Sequence, residues 1–369
     1  MKTTDERQEN LAFTKKVYAD KQFQYANREE LLPESFISYH KMNFVKFFSI
    51  SEEEFRGKKI RDTGVGPGKH AAVLALMGGD VLGVDLAEKN IEKANELKKR
   101  LSLDNLRYVS HDLMEQIHGY GQFDLISAHN WMQHAENPAK VMSNLVRVLK
   151  KGGRFYLSLY LAKSFRFLIA QIARSILNPE DYDPCELLVG YHFPTGFNGF
   201  GNYRDIYMEN IFDDFFVPYC NTTTYEIVIR DAEKMGCRLV TTEIPADKDR
   251  YEVDNLALRI GFEKVEDRDF SKADFEFTKP VDELASNNPY VREIADLAHA
   301  CISKFRYDVG QYAKCAFILG LYRVRAEMNQ FEDIDARFAT LRFYLEQAID
   351  DTNWKISAAN PMFVATAKK

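Results

Sequence analysis

The feature that most constrains the fold is the rhythm of residues 58–160, where short apolar runs alternate with amphipathic segments. The spacing predicts strands that end at Asp62, Asp85, close to Asp112 and at His129, and then a fifth strand, RFYLSLY. Helical segments separate these runs, and the longest of them is AEKNIEKANELKKRL. Alternation of this kind is typical of βα units that build a parallel sheet. We therefore predict an α/β fold.

The remaining segments predict additions to this sheet. Residues 1–57 carry apolar side chains at helical spacing and are expected to form an N-terminal helical cap. The sheet domain is expected to span 58–265, interrupted after its fifth strand by an aromatic-rich insertion over 161–222. Residues 266–369 predict a helical C-terminal extension, which could cover the sheet domain or form a homodimer interface.

Composition narrows the class of protein and of partner. Of the 369 residues, 46% are hydrophobic and 28% charged, which is ordinary for a globular chain. The net charge of -6 argues against a broad phosphate-binding surface, so no nucleic acid partner is expected. The five cysteines are odd in number and never spaced as C-x-x-C, which predicts neither a disulfide framework nor a metal site.

Neither a signal peptide nor a membrane span is expected. The first residues, MKTTDERQENLAFTKK, are charged and contain no apolar run. The most apolar helical stretch, 165–177, is too short to cross a bilayer and contains Arg166 and Arg174. The expected location is the cytoplasm.

A glycine-rich turn, from Asp62 to Gly68, joins the first strand to the first helix (DTGVGPG). Its third glycine comes one residue too early for the G-x-G-x-x-G dinucleotide motif, whose last position is Lys69 here, and there is no P-loop sequence. Asp85 ends the second strand about twenty residues later, where a carboxylate can accept hydrogen bonds from both ribose hydroxyls. Asp112 ends the third strand, where it can accept from the amino group of adenine. All three features lie at strand carboxyl ends, where open α/β sheets bind ligands.

With these motifs in order, the chain resembles the class I S-adenosylmethionine (SAM)-dependent methyltransferases. The resemblance covers about residues 58–160 and rests on DTGVGPG, VDLA, HDL, FDLISAHN and LVRVLKKGGRFYLSLY. The stretch WMQHAENPAKVMSNLVRVLKKGG is similar to the small-molecule, quinone-biosynthesis branch of the family. The resemblance implies a Rossmann-like sheet, SAM as cofactor and methyl transfer as the reaction.

The resemblance also implies a cofactor site. Gly64 and Gly66 would lie along the methionine part of SAM. Asp85 would bind the ribose, and Asp112 with Leu113 would contact the adenine. The whole implied set is Asp62, Gly64, Gly66, Gly68, Asp85, Leu86, Asp112, Leu113, His129 and Asn130, of which the last two would line the floor near the sulfonium. Arg61 departs from the family, because this strand position is normally aliphatic. A buried arginine there requires a partner, such as Asp85 or a residue of the insertion, or else local access to water.

The acceptor side of the site is less constrained by the sequence. A general base is needed only for a protonated hydroxyl or amine, and His134, His129 and His192 are the candidates for it. His70 is expected to be solvated or to pack against a loop. Aromatic residues of the insertion could line an acceptor pocket as a lid or simply pack the insertion, while its acids could bind a basic acceptor; the candidates for substrate contact are Tyr191, Phe197, Tyr203 and Tyr207.

These observations predict a SAM-dependent methyltransferase that acts on an oxygen, nitrogen or carbon atom of a small molecule. Two alternatives stay open at this point. One is methylation of a protein or a tRNA, and the other is a non-catalytic assembly partner that keeps the SAM-binding fold.

Overall fold

The computed structural model describes most of the chain between residues 32 and 350. The described residues are 8–13, 15, 32–116, 119–162, 164–192, 211–243, 257–270, 273–276, 292–294, 296–297, 300, 311–328, 331 and 333–350. They belong to two compact units: one contains 1–161, 218–246 and 257–278, and the other contains 162–217, 247–256 and 279–369.

The first unit is built on a seven-stranded sheet with the order β3-β2-β1-β4-β5-β7-β6. Its strands are β1 (Lys59–Thr63), β2 (Asp80–Asp85), β3 (Leu106–Ser110), β4 (Phe123–His129), β5 (Leu149–Tyr160), β6 (Cys237–Glu243) and β7 (Ala257–Lys264). The first five are parallel to one another, and β7 runs antiparallel to both β5 and β6. The predicted α/β fold with parallel strands is confirmed, and the five strands of 58–160 occur in the apolar runs from which they were predicted.

Helices cover both faces of this sheet. They are α1 (Glu34–Phe48), α2 (Lys69–Leu76), α3 (Glu88–Leu101), α4 (Pro138–Val148) and α7 (Tyr225–Lys234). The α1, α2 and α3 helices bury one face together with Ile60, Leu125 and Tyr156, whereas α4 and α7 bury the other face with Ile126 and Phe155. Because side chains alternate along a strand, the odd-numbered and even-numbered residues of one strand lie on opposite faces of the sheet.

The second unit is helical in its described residues. Its helices are α5 (Phe165–Ile176), α6 (Tyr182–His192), α8 (Gln311–Glu327) and α9 (Ile334–Asp350), with a short π-helical turn over Phe212–Phe216. Arg166 on α5 and Asp214 in that turn form a buried ion pair, with Nε and Oδ2 2.6 Å apart. The Phe215 ring meets Tyr322 of α8 edge to face, with ring centroids 5.6 Å apart. These aromatic and acidic residues of the insertion are therefore part of the core of this unit.

Within the described residues, no helix combines the length and the apolar character that a bilayer crossing requires.

Candidate functional site

The glycine-rich turn between β1 and α2 has left-handed backbone at three positions. Gly64, Gly66 and Gly68 have φ of 62°, 51° and 85°, a region that glycine enters without the steric cost of a side chain. The turn is fixed to the neighbouring strand because the amides of Gly64 and Val65 donate to the Val84 carbonyl, at 2.8 and 3.2 Å.

The glycines of this turn have different surroundings. A Cβ on Gly68 would overlap the Tyr108 hydroxyl, which donates to the Gly68 carbonyl at 3.0 Å. At Gly66 no heavy atom lies within 4 Å of the position a Cβ would occupy. Gly68 therefore serves the packing of the turn against β3, whereas Gly66 borders open space that a ligand can approach.

Trp131, which the sequence analysis did not single out, lies across Gly64. A Cβ on Gly64 would overlap the indole ring, and the indole Nε1–H donates to the Thr63 hydroxyl at 3.2 Å. The residue before it, Asn130, has a φ of 54°, rare for a side chain other than glycine. Its amide donates to the Ser158 carbonyl at 3.1 Å, and its side-chain oxygen accepts from the Ser158 hydroxyl. This turn directs the indole onto the glycine-rich loop.

Asp85 at the end of β2 is joined directly to the glycine turn. Its Oδ2 accepts from the Gly66 amide at 2.8 Å, and its Oδ1 accepts from the Ala87 amide and the Asn90 side chain at 2.9 and 3.1 Å. Burial raises the pKa of this carboxyl, although these donors act in the opposite direction. A carboxylate oxygen has two acceptor directions, so Oδ2 retains one for a ligand hydroxyl.

The end of β3 lies beside Asp85. The His111 amide donates to the Asp85 carbonyl at 2.9 Å, and the Ser110 hydroxyl donates to the Leu86 carbonyl at 3.2 Å. In the loop that follows, Asp112 accepts from the Met114 amide at 2.9 Å. The Asn144 side chain donates to the carbonyl of the buried Leu113 at 3.1 Å. The predicted adenine-binding and ribose-binding residues thus lie on neighbouring strands at one edge of the sheet.

A row of polar side chains crosses the sheet beneath the turn. Asp62, Ser127 and Tyr156 occupy the same register on β1, β4 and β5, and each is almost fully buried. Burial raises the pKa of Asp62 to about 7, more than the Ser127 hydroxyl and the Thr63 amide lower it. Among the described residues, Asp62 Oδ2 and the Tyr156 hydroxyl have no hydrogen-bond partner. The row therefore offers unsatisfied polar atoms next to the turn.

Arg61 lies on the opposite face from this row. It is 2% exposed, and its guanidinium carbon lies 5.8 Å from the centroid of the Phe123 ring. Burial lowers its pKa to about 10. The expected buried partner is thus an aromatic ring, while the carboxylate of Asp85 is held by Gly66, Ala87 and Asn90.

Three histidines meet beside the glycine turn, one from each of α1, α2 and β4. The ring centroids of His40 and His70 are 4.3 Å apart, and those of His70 and His129 are 4.5 Å apart. Burial, followed by the charge of Arg259, lowers the pKa of His40 to about 4. Burial, followed by the interactions with His40 and then Arg259, lowers the pKa of His129 to about 3. Burial and neighbouring positive charge also lower the pKa of His70. We call these three residues the histidine cluster; its imidazoles are neutral at pH 7.

Of the three predicted bases, His129 belongs to this cluster, whereas His134 and His192 do not. His134 follows β4, and its Nδ1 lies 3.1 Å from the Tyr219 carbonyl oxygen. Tyr191 and His192 end α6, but their side chains lie outside the described residues, as do Phe197, Tyr203 and Tyr207 entirely. In the described part of the chain, no group of three or more His, Cys, Asp or Glu residues is arranged to hold a metal ion.

Comparison with known proteins bears on this geometry. Residues 61–157 match the methyltransferase domain family. This part of the chain is a class I SAM-dependent methyltransferase domain. The match begins on β1 and ends on β5, so the methyltransferase domain includes the glycine turn, Asp85 and Asp112.

Curated relatives resemble part of this chain. The ubiquinone biosynthesis O-methyltransferase of Dechloromonas aromatica is 32% identical over 28% of this chain and 44% of its own length. That of Pseudomonas syringae is 29% identical over 38% of this chain and 61% of its own length. The matched segment thus spans about half the length of these relatives.

Among solved structures, the Burkholderia thailandensis 1,6-didemethyltoxoflavin-N1-methyltransferase is similar over 72% of this chain and 92% of that one. The identity is 13% and the TM-score 0.44.

The residues of the methyltransferase domain fit SAM, the cofactor of this family. The open space at Gly66 admits the cofactor beside the backbone, and the remaining acceptor direction of Asp85 Oδ2 suits a ribose hydroxyl. The unpartnered Asp62 Oδ2 suits an ammonium group.

Proposed function

We propose that this chain transfers the methyl group of SAM to a small-molecule acceptor. The observation that carries the proposal is the link between Asp85 and the glycine turn. One carboxylate both holds the Gly66 amide at 2.8 Å and keeps an acceptor direction beside open space. Such an arrangement at a strand end is suited to a nucleoside whose ribose and chain lie along the turn.

In this proposal the chain's own residues bind and orient the cofactor. Asp85 holds the ribose, Asp112 and Leu113 flank the adenine, and Gly66, rather than the covered Gly64, lets the methionine part approach the backbone. SAM supplies an activated methyl group, so the protein's task is to exclude water and to align the acceptor. The indole of Trp131, which covers Gly64, excludes water from this part of the turn.

A small acceptor is favoured over a nucleic acid by the net charge of -6. The matched relatives are named as O-methyltransferases of ubiquinone biosynthesis, which supports an acceptor of low molecular weight. His134 and His192 as bases, the insertion as a lid, a homodimer through the C-terminal helices and a cytoplasmic location stay predictions.

The test is calorimetric titration of the chain with S-adenosylhomocysteine (SAH), the demethylated product. We expect binding to the unsubstituted chain and a loss of about a hundredfold or more in affinity for Asp85→Ala, because a charge-assisted contact and the anchoring of Gly66 are lost together. Asp80→Ala is the matched control, since Asp80 starts the same strand and pairs with Arg107 at its far end, 3.2 Å away. Equal affinity of the two variants would contradict the ribose role of Asp85.

A further inference from the structure

The histidine cluster lies on the same face of the sheet as a cationic side chain, Arg259. His129 ends β4, and across the sheet its register leads to Ser158 on β5 and then to Arg259 on β7. His129 and Arg259 therefore share the face covered by α1. His70, the second residue of α2, joins them directly after the turn. The side chains of His70 and His129 are each partly exposed.

The charge of Arg259 is only partly compensated. Its Nη1 lies 3.5 Å from Glu243 Oε2. Glu243 is itself shared with Lys46, at 3.1 Å, and is 46% exposed. Because Glu243 divides its charge between two cations and faces water, it compensates Arg259 only in part. The positive charge of Lys69 also acts on His70.

A hydroxyl donor in need of an acceptor lies beside the histidine cluster. Tyr156 is 1% exposed, and its ring centroid lies 5.9 Å from that of His129. Within the described part of the chain its hydroxyl has no partner, although the charges of Arg259, Glu243 and Asp62 act on it. A buried hydroxyl without a partner is costly, and a ligand oxygen would remove that cost.

We propose that Arg259, Tyr156 and the histidine cluster form a subsite for an anionic oxygen group, a carboxylate or a phenolate, carried by the methyl acceptor. This inference rests on the proposed function, because it places the acceptor beside the cofactor turn. A guanidinium donates in a planar fork that matches a carboxylate, and neutral imidazoles donate an N–H without competing charge. The subsite orients the acceptor, and Arg259 and Tyr156 are specificity-determining residues within it.

The experiment titrates the chain with benzoate, 4-nitrophenolate and benzyl alcohol, with and without saturating SAH. We expect benzoate or the phenolate to bind in the millimolar range or tighter, and neutral benzyl alcohol to bind more weakly. Arg259→Gln should raise the Kd of the anion about tenfold, and Tyr156→Phe severalfold, because each removes a donor to a charged group. Which anion responds distinguishes a carboxylate from a phenolate acceptor.

Arg238→Gln is the matched control, since Arg238 pairs with Glu263 near the other end of β7. Arg259→Lys, which keeps the charge without the fork, should recover part of the affinity and preserve the fold if Arg259→Gln is unstable. Equal anion affinity in the unsubstituted chain and Arg259→Gln, or no anion binding while SAH still binds, would overturn the subsite. Failure of SAH to bind would instead overturn the proposed function, and anion binding to the chain without SAH tests the subsite in that case too.

Discussion

The indole of Trp131 lies on Gly64, so that this glycine is required by a neighbouring side chain as well as by its own backbone angle. Asn130, in left-handed conformation and bonded to Ser158, holds the indole in that position. The conformation of the glycine turn is therefore fixed by two contacts, that of the Trp131 indole with Gly64 and that of the Asp85 carboxylate with the Gly66 amide.

Gly64→Ala and Gly66→Ala should differ sharply in stability. Both positions have positive φ, which costs an alanine about 1–2 kcal/mol. Only at Gly64 does the new methyl group overlap a side chain, so we expect an additional loss of about 1–3 kcal/mol there. Urea unfolding in the absence of cofactor measures both, and SAH binding should fall for Gly66→Ala despite its smaller effect on folding.

The indole contact is checked with a double-mutant cycle. Trp131→Ala should recover part of the stability lost in Gly64→Ala, because the overlap disappears. It should leave the cost of Gly66→Ala unchanged. Additive effects at Gly64 and Trp131 would show that the indole does not limit that position.

His40 should make the fold sensitive to acid. Its pKa is lowered to about 4 in the folded chain, below the ordinary value of 6.5, chiefly by burial. Between these two values the unfolded chain binds the proton and the folded chain does not, so this contribution, at most about 3 kcal/mol, is full above pH 6.5 and is lost toward pH 4. His40→Gln should therefore destabilise the fold less at pH 4.5 than at pH 7 in urea unfolding, and a cost that is the same at both pH values would contradict the assignment.

Asp62 should have the opposite effect on the pH dependence. Its pKa of about 7 lies above the unfolded value of 3.8, so between these values the folded chain binds the proton and the unfolded chain does not. Stability therefore falls as pH rises from about 4 to 7, by at most about 4 kcal/mol. Asp62→Asn removes this pH dependence. As pH rises from about 4 to 7, the free energy of unfolding of the variant should therefore increase relative to that of the unsubstituted chain. The cofactor must be absent, since it would change the environment of this carboxyl.

In the second unit, Asp214→Asn should be strongly destabilising. It removes a charged partner of the Arg166 guanidinium, which is 6% exposed, and removing one partner of a buried ion pair typically costs about 3–5 kcal/mol. Glu346→Gln, at the exposed Arg342–Glu346 pair on α9, is the control and should change stability by less than about 0.5 kcal/mol. Replacing both buried partners, as Arg166→Met with Asp214→Leu, should recover much of the loss in thermal unfolding.

The sheet and the cofactor edge could be predicted because their signals are local. Strand periodicity, the DTGVGPG turn and the acids at strand ends each lie within a few residues of sequence. Asp85 and Asp112 come together simply because parallel neighbouring strands end at one edge. The same logic places Asp62 and His129 near the turn.

The histidine cluster and the position of Trp131 could not be predicted in this way. His40, His70 and His129 are far apart in sequence and meet only because α1 packs over β5 and β7 beside α2. His70 was expected to be solvated or packed against a loop, and its contacts with two other imidazoles depend on tertiary packing alone. The partner of Arg61 was missed for the same reason, because Phe123 lies on a different strand.

The chain leaves the sheet after Tyr160 and returns beside the same point, where the Thr223 amide donates to the Tyr160 carbonyl at 3.0 Å and Leu161 bridges to Thr223. When the two ends of a segment are held together by such contacts, a change in its length alters the entropic cost of bringing those ends together only slightly. Residues 162–217 can thus diverge, lengthen or be exchanged without disturbing the strands that carry the cofactor edge.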